Sequence, residues 1–175
     1  MPTLYERLGL RTFINARGTI TTLGGSIMPD EVVQAMVEAS RNFVHLNELH
    51  EKAGARIAEL TGAEGAFISA GAASGLLLAG AACLTGTDAQ AIANLPNIGE
   101  RRNEFVISLV DSHYYVHQGF CVAGGTLRKI GSKDAVTLEN YVEAIGPKTA
   151  AVVYFLGSQP IEDLPAIVAA AHAQD

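Results

Sequence analysis

No apolar run in the 175-residue sequence reaches the roughly eighteen residues that a membrane-crossing helix needs, because Gly, Thr, Ser or a charge interrupts each one. The opening stretch, MPTLYERLGLR, also lacks the apolar core of a signal peptide, so the expectation is a cytosolic protein. Cysteine is scarce. Cys83 and Cys121 are isolated among small apolar residues, with no C-x-x-C spacing and no His beside them, which argues against a disulfide framework or a zinc site and predicts two reduced core thiols. Basic charge is in deficit as well. With 12 Lys+Arg against 18 Asp+Glu and a net charge of −6, the chain has no broad basic surface for phosphate backbones or anionic lipid heads, and its charge does not support tRNA as a partner. The G-x-G-x-x-G fingerprint, the P-loop G-x-x-x-x-G-K-[ST], the G-x-S-x-G elbow and any Ser/His/Asp order are all missing. What is abundant is core: 49% of the residues are hydrophobic and 17% charged, the composition of one globular domain rather than a disordered tail.

Hydrophobic periodicity divides the chain into elements. Residues 1–28 form an arm, with a short amphipathic turn, YERLGLR, followed by the Gly- and Thr-rich NARGTITTLGGS, which has neither helix nor strand period. Pro29-Asp30-Glu31 opens a helix whose apolar face is Val32, Val33, Met36 and Val37 and which runs to about Phe43. A second helix spans Leu46 to Leu60, with Gly62 as a left-handed cap. Ala66-Phe67-Ile68 reads as a buried strand, and the small residues SAGAASGLLLAGAACL as the helix after it. Further strands are predicted at Phe105–Val110, Thr126–Ile130 and Ala150–Leu156, with helices at Leu138–Ile145 and Leu164–Ala173. A Tyr-rich segment runs to Phe120, and the polar stretch between Thr87 and Glu104 is predicted as a loop with a helical turn. Strands alternating with helices imply parallel crossovers, hence a three-layer α/β/α domain with a mostly parallel sheet over residues 29–175. Because IVAAAHAQD ends as a helix where the alternation next requires a strand, the domain is expected to be truncated at its C-terminus.

Two segments carry candidate chemistry. Ser69-Ala70-Gly71-Ala72-Ala73-Ser74-Gly75 leaves a strand and opens a helix whose first turn has no bulky side chain, so unpaired amides and the positive end of the helix dipole are available to a phosphate. The same small residues also suit tight helix–sheet packing. Asp111-Ser112-His113-Tyr114-Tyr115 follows a strand, at the carboxyl end where open α/β sheets bind ligands; His113 there is either a flat ring to stack on a ligand or a histidine bonded within its loop. His45, His50, His117 and His172 lie on predicted helices without metal-ligand spacing.

The segments YERLGLRTFINARGTITTLGGS, ELTGAEGAFISAGAASG, VISLVDSHYY, GGTLRKIG and PKTAAVVYFLGSQPIEDLPAIVAAAH together resemble the N-terminal part of the selenocysteine-synthase-like enzymes. That group includes seryl-tRNA(Sec) selenium transferases and D-glucosaminate-6-phosphate ammonia-lyases, within the fold-type-I superfamily that uses pyridoxal 5'-phosphate. The resemblance covers nearly the whole chain, and its most specific piece is INARGTITTLGG with SAGAASG at the right distance. It implies that the amides of Gly71, Ala72 and Ala73 hold the cofactor phosphate, that His113 stacks on the pyridine ring, and that Ser158, with Gln159 beside it, lies near the ring oxygen. Desulfurase relatives carry a Thr where this chain has Ala73, so phosphate holding is expected to rest on backbone amides and on groups outside these loops. The family's attachment lysine and the acidic partner of the ring nitrogen lie beyond the matched region; Lys52, Lys129, Lys133 and Lys148 read as solvated surface lysines. The implied function is the N-terminal portion of a lyase or transferase acting at Cα or Cβ of an amino acid or amino sugar acid, in a homo-oligomer, with the chain alone inactive. The alternative is a noncatalytic α/β anion-binding or assembly domain.

Overall fold

The computed structural model describes residues 2–174. Its centre is a parallel sheet of three strands, β1 (Glu104–Ser108), β2 (Thr126–Ile130) and β3 (Thr149–Val153), in the order β2-β1-β3. The most continuous apolar run of the three, Phe105-Val106-Ile107, takes the middle position and is fully buried, as a parallel strand covered on both faces requires. Phe105 lies opposite Leu127 and Ile107 opposite Lys129 in β2, while the pairing with β3 shifts register between Glu104 and Phe105.

Successive β1 side chains point to opposite faces and nucleate two cores. Phe105 and Ile107 pack with Leu84 of α4 (Ala72–Thr85) and with Val116 and Phe120 of α6 (Tyr114–Val122). Val106 packs on the other side with Tyr141 and Ala144 of α7 (Leu138–Ala144) and Ile167 of α8 (Leu164–His172). Helices thus cover both faces, through the crossovers β1–α6–β2 and β2–α7–β3.

Before the sheet come α1 (Leu4–Arg7), a 3-10 turn (Thr21–Leu23), α2 (Asp30–Ala39) and α3 (Leu46–Thr61). Asp30 and Glu31 occupy the first turn of α2, and Gly62 caps α3 at φ 71°, as periodicity and cap residues predict. The first buried residue among those described is Gly54, which packs against the backbone of Ala66. The polar stretch after α4 holds α5 (Ala89–Asn94), capped by Asp88, whose carboxylate accepts from the amides of Gln90 and Ala91 and pairs with Arg101. No helix among the described residues is long and apolar enough to cross a membrane.

Two expectations need correction. Ala66-Phe67-Ile68 has no regular secondary structure and pairs with no strand among the described residues; Phe67 is 70% exposed and stacks on His50 with ring centroids 4.9 Å apart. An apolar run reports a tendency to be buried, whereas a strand needs a neighbour to share its hydrogen bonds. The Tyr-rich segment after β1, where a helix is expected around His117, is the helix α6, whose Val116 and Phe120 share one face with Ala123 just beyond its end. Cys83 and Cys121 are free thiols but exposed rather than core residues, because small apolar neighbours in the sequence do not by themselves bring packing partners over a side chain; the Cys83 thiol is still pushed up by desolvation.

Candidate functional site

The two helices on one face of the sheet run in the same direction. A Cβ on Gly119 would meet Leu76 and Leu77, and one on Gly80 would meet Phe120 and Ala123, so the contacts advance in step along α4 and α6. Because α6 follows β1 directly, its N-terminus lies at the carboxyl edge of the sheet, and the parallel packing brings the start of α4 to the same edge. Gly71, Ala72 and Ala73 are exposed there, and no side chain caps α4. The hydroxyls of Ser69 and Ser74 both donate to the carbonyl of Gly71, at 3.0 and 2.8 Å, and so turn inward. What remains presented at this edge is backbone N–H at the positive end of α4, an arrangement suited to an anion; at the start of α6 the amides of Tyr114 and Val116 already donate to the carbonyls of Ser112 and His113.

His113 is the N-cap residue of α6, with its side chain 61% exposed. Asp111 Oδ1 accepts from the His113 backbone amide at 2.7 Å and lies 2.6 Å from ring Nδ1. The ring also meets Tyr115 edge-on, 5.7 Å between centroids. Desolvation alone would raise the Asp111 carboxyl, but hydrogen bonds from the His113 amide and ring, with the nearby charges of His113 and His117, hold it below its ordinary value.

One turn further along α6 is His117, which nothing in the sequence distinguishes except its four-residue spacing from His113. It is 5% exposed, its Nε2 has no hydrogen-bond partner, and its ring lies 6.3 Å from that of Phe155 at 17° between planes. Burial, then the charge of Lys129, push the imidazole below its ordinary value, against an opposing pull from Asp111. A buried polar atom without a partner is costly, so His117 Nε2 marks a place for a further polar group at this corner.

Ser158 lies in the loop after β3, also at the carboxyl edge, where its amide donates to the carbonyl of Phe155. Its neighbour Gln159 fastens that loop: Oε1 accepts from the Phe155 amide at 3.1 Å and Nε2 donates to the Tyr141 hydroxyl at 2.7 Å. The lysines stand elsewhere or in solvent. Lys52 pairs with Glu48 at 2.6 Å and Lys133 lies 3.8 Å from Asp134. Lys148 is exposed at the amino edge, where its carbonyl accepts from Asn103 and Glu104, and Lys129 is exposed on β2. A groove of about 370 Å³ follows the outer edge of β3 and α8, lined by Ala150, Val152, Ile167 and Ala171, and includes none of these candidate residues.

No family model matches the chain. It is 36% identical over 156 residues to D-glucosaminate-6-phosphate ammonia lyase of Salmonella typhimurium, covering 87% of this chain and 42% of that protein. It is 34% identical over 154 residues to 5'-C-glycyluridine monooxygenase-decarboxylase of a Streptomyces species, covering 86% of this chain and 39% of that protein. A solved structure of D-glucosaminate-6-phosphate ammonia-lyase superimposes with a TM-score of 0.87 at 33% identity, over 98% of this chain and 49% of that one. The chain therefore spans half or less of the length of the relatives it matches. By sequence and by fold the chain is homologous to part of D-glucosaminate-6-phosphate ammonia-lyase, and by sequence it is also similar to part of L-seryl-tRNA(Sec) selenium transferase of Desulfomicrobium baculatum.

Proposed function

We propose that this chain is the cofactor-holding N-terminal portion of a fold-type-I pyridoxal-phosphate lyase or transferase that acts at Cα or Cβ of an amino acid or amino sugar acid. The observation that carries the reading is the uncapped first turn of α4 at the carboxyl edge of the sheet, the same edge at which Asp111 fastens the flat His113 ring. The fit to a phosphorylated pyridine is chemical. Exposed amides at Gly71, Ala72 and Ala73 suit a dianion, the His113 imidazole suits the face of an electron-poor ring, and the orphaned Nε2 of His117 suits a further polar partner. Ser158, on the same edge, is the side chain assigned to the neighbourhood of the ring oxygen.

Bound pyridoxal phosphate supplies an electron sink for carbanion chemistry at the amino acid's Cα. This chain's contribution is to bind and orient: amides hold the phosphate, His113 sets the ring plane, and the hydrophobic floor under α4 and α6 keeps that edge rigid. No attachment lysine is assigned among Lys52, Lys129, Lys133 and Lys148, so covalent attachment and substrate selection fall to residues outside this chain. A homo-oligomer is proposed from the exposed apolar side chains of the first fifty residues, among them Leu8, Phe13, Ile14, Val33, Met36 and Phe43.

Titration of the chain with pyridoxal phosphate, followed by borohydride reduction and peptide mapping, tests this. Saturable uptake, competed by inorganic phosphate and without stoichiometric labelling of one lysine, is the expected result. Full labelling of a single lysine would move the attachment site into this chain. Binding of inorganic phosphate with no preference for pyridoxal phosphate would favour the noncatalytic anion-binding domain.

A further inference from the structure

We infer that Asp111 is the positioning residue of this edge, setting both the tautomer and the plane of the His113 ring. A single carboxylate oxygen, Oδ1, is shared by the His113 backbone amide at 2.7 Å and ring Nδ1 at 2.6 Å. The two contacts close a small ring of atoms that joins the loop after β1 to the N-cap of α6, which has no side-chain cap of its own. An ionised carboxylate only accepts, so the proton sits on Nδ1 and the opposite nitrogen, Nε2, carries the lone pair. Without that contact an imidazole 61% exposed would sample several rotamers and both neutral tautomers. Tyr115 meets the ring edge-on and restricts its remaining swing. The Asp111 side chain is only 11% exposed, so the carboxylate is held in the wall of the edge rather than free in solvent and can act as a fixed acceptor.

The consequence is preorganisation. A ligand ring arriving at His113 meets a plate already fixed, and the entropy of ordering the imidazole is not charged to binding. Asparagine at 111 keeps an oxygen for the backbone amide, but its neutral side chain holds Nδ1–H more weakly, and its NH2 can donate to an unprotonated Nδ1 instead. Glutamate keeps the charge on a longer arm.

Long-range proton–nitrogen spectra of the ¹⁵N-labelled full chain, which distinguish the two neutral tautomers from each other and from the doubly protonated ring, report the tautomer directly. The wild type is expected to show Nδ1–H at His113. Asp111→Asn is expected to shift it towards Nε2–H with amide dispersion retained, and Asp111→Glu to restore Nδ1–H. An Nε2–H ring in the wild type, or an unchanged tautomer in Asp111→Asn, overturns the inference; collapse of the fold in both variants would make Asp111 a structural residue and also overturn it. The second measurement rests on the cofactor reading above: Asp111→Asn should weaken pyridoxal-phosphate uptake by about tenfold, the scale of one charge-assisted hydrogen bond. If the tautomer moves as expected while no chain takes up pyridoxal phosphate, the positioning role stands and the cofactor reading falls. Equal uptake by wild type and Asp111→Asn, with the tautomer unmoved, sinks the positioning role alone.

Discussion

Gly80 of α4 and Phe120 of α6 meet so closely that a methyl group on Gly80 would lie 2.9 Å from Phe120 Cδ1. Phe120 has no room to yield, since its ring stacks on the buried Phe105 at 4.7 Å between centroids. This contact sets the spacing of the two helices whose N-termini form the candidate site. Gly80→Ala should therefore destabilise the chain by about 1–3 kcal/mol in urea unfolding, the overpacking cost exceeding the helix-propensity gain. Gly146→Ala, where a Cβ meets nothing within 4 Å, is the control and should stay within about 0.5 kcal/mol of wild type. Equal effects at the two positions would contradict the packing account.

The loop carrying Ser158 depends on Gln159. Replacing Gln159 with Leu removes partners from the Phe155 amide and from the hydroxyl of Tyr141, a residue 1% exposed. The expected cost is about 1–3 kcal/mol, because donors and acceptors are left unsatisfied rather than exchanged for water. Unfolding by urea measures it, and a change within experimental error would mean that the loop is held by other contacts.

Stability should fall with acidity through the histidine range, and His117 should be the cause. Its folded pKa lies below the ordinary value, so the unfolded chain binds the extra proton first as the pH falls. Stability is then complete above the ordinary histidine range and is lost on descending towards the lowered value, by up to about 1.4 kcal/mol per pH unit for one proton. Asp111 opposes the loss and Lys129 adds to it. His117→Phe should flatten this slope and, by removing a buried unpartnered nitrogen, leave stability at neutral pH equal or higher. Thermal melts of both proteins across that range decide it; a parallel slope in the variant would assign the effect elsewhere.

The apolar face of α2 is the place to test self-association. Val32, Val33, Met36 and Val37 are all exposed, Met36 by 56%, on a helix with no buried residue. Sedimentation velocity over a concentration series should show the wild type as a dimer or larger assembly, and Met36→Glu should shift the equilibrium towards monomer by at least about tenfold. A wild type that stays monomeric throughout would remove the basis for a homo-oligomer.

Much of this molecule is legible in the order of its residues. The alternation of apolar runs with helical periods is enough to predict a parallel α/β sheet, and Thr126–Ile130, the cap at Gly62 and the start of α2 after Pro29 follow from local chemistry, which acts over a few residues. The sequence also singles out the Gly71–Ala73 turn and His113, because small residues after an apolar run and a histidine after a strand are local signals. Tertiary structure alone decided the rest. Whether Phe67 joins a sheet depends on a neighbour, not on its own apolarity, and here its ring stacks on His50 instead. His117 looks like any helical histidine until packing buries its Nε2 beside Phe155 without a partner. Gln159 becomes a fastener only because β3 carries it under the hydroxyl of Tyr141, eighteen residues earlier in the chain. Hydrogen-bond satisfaction and burial are properties of surfaces brought together, and the chain order holds no local record of which surfaces meet.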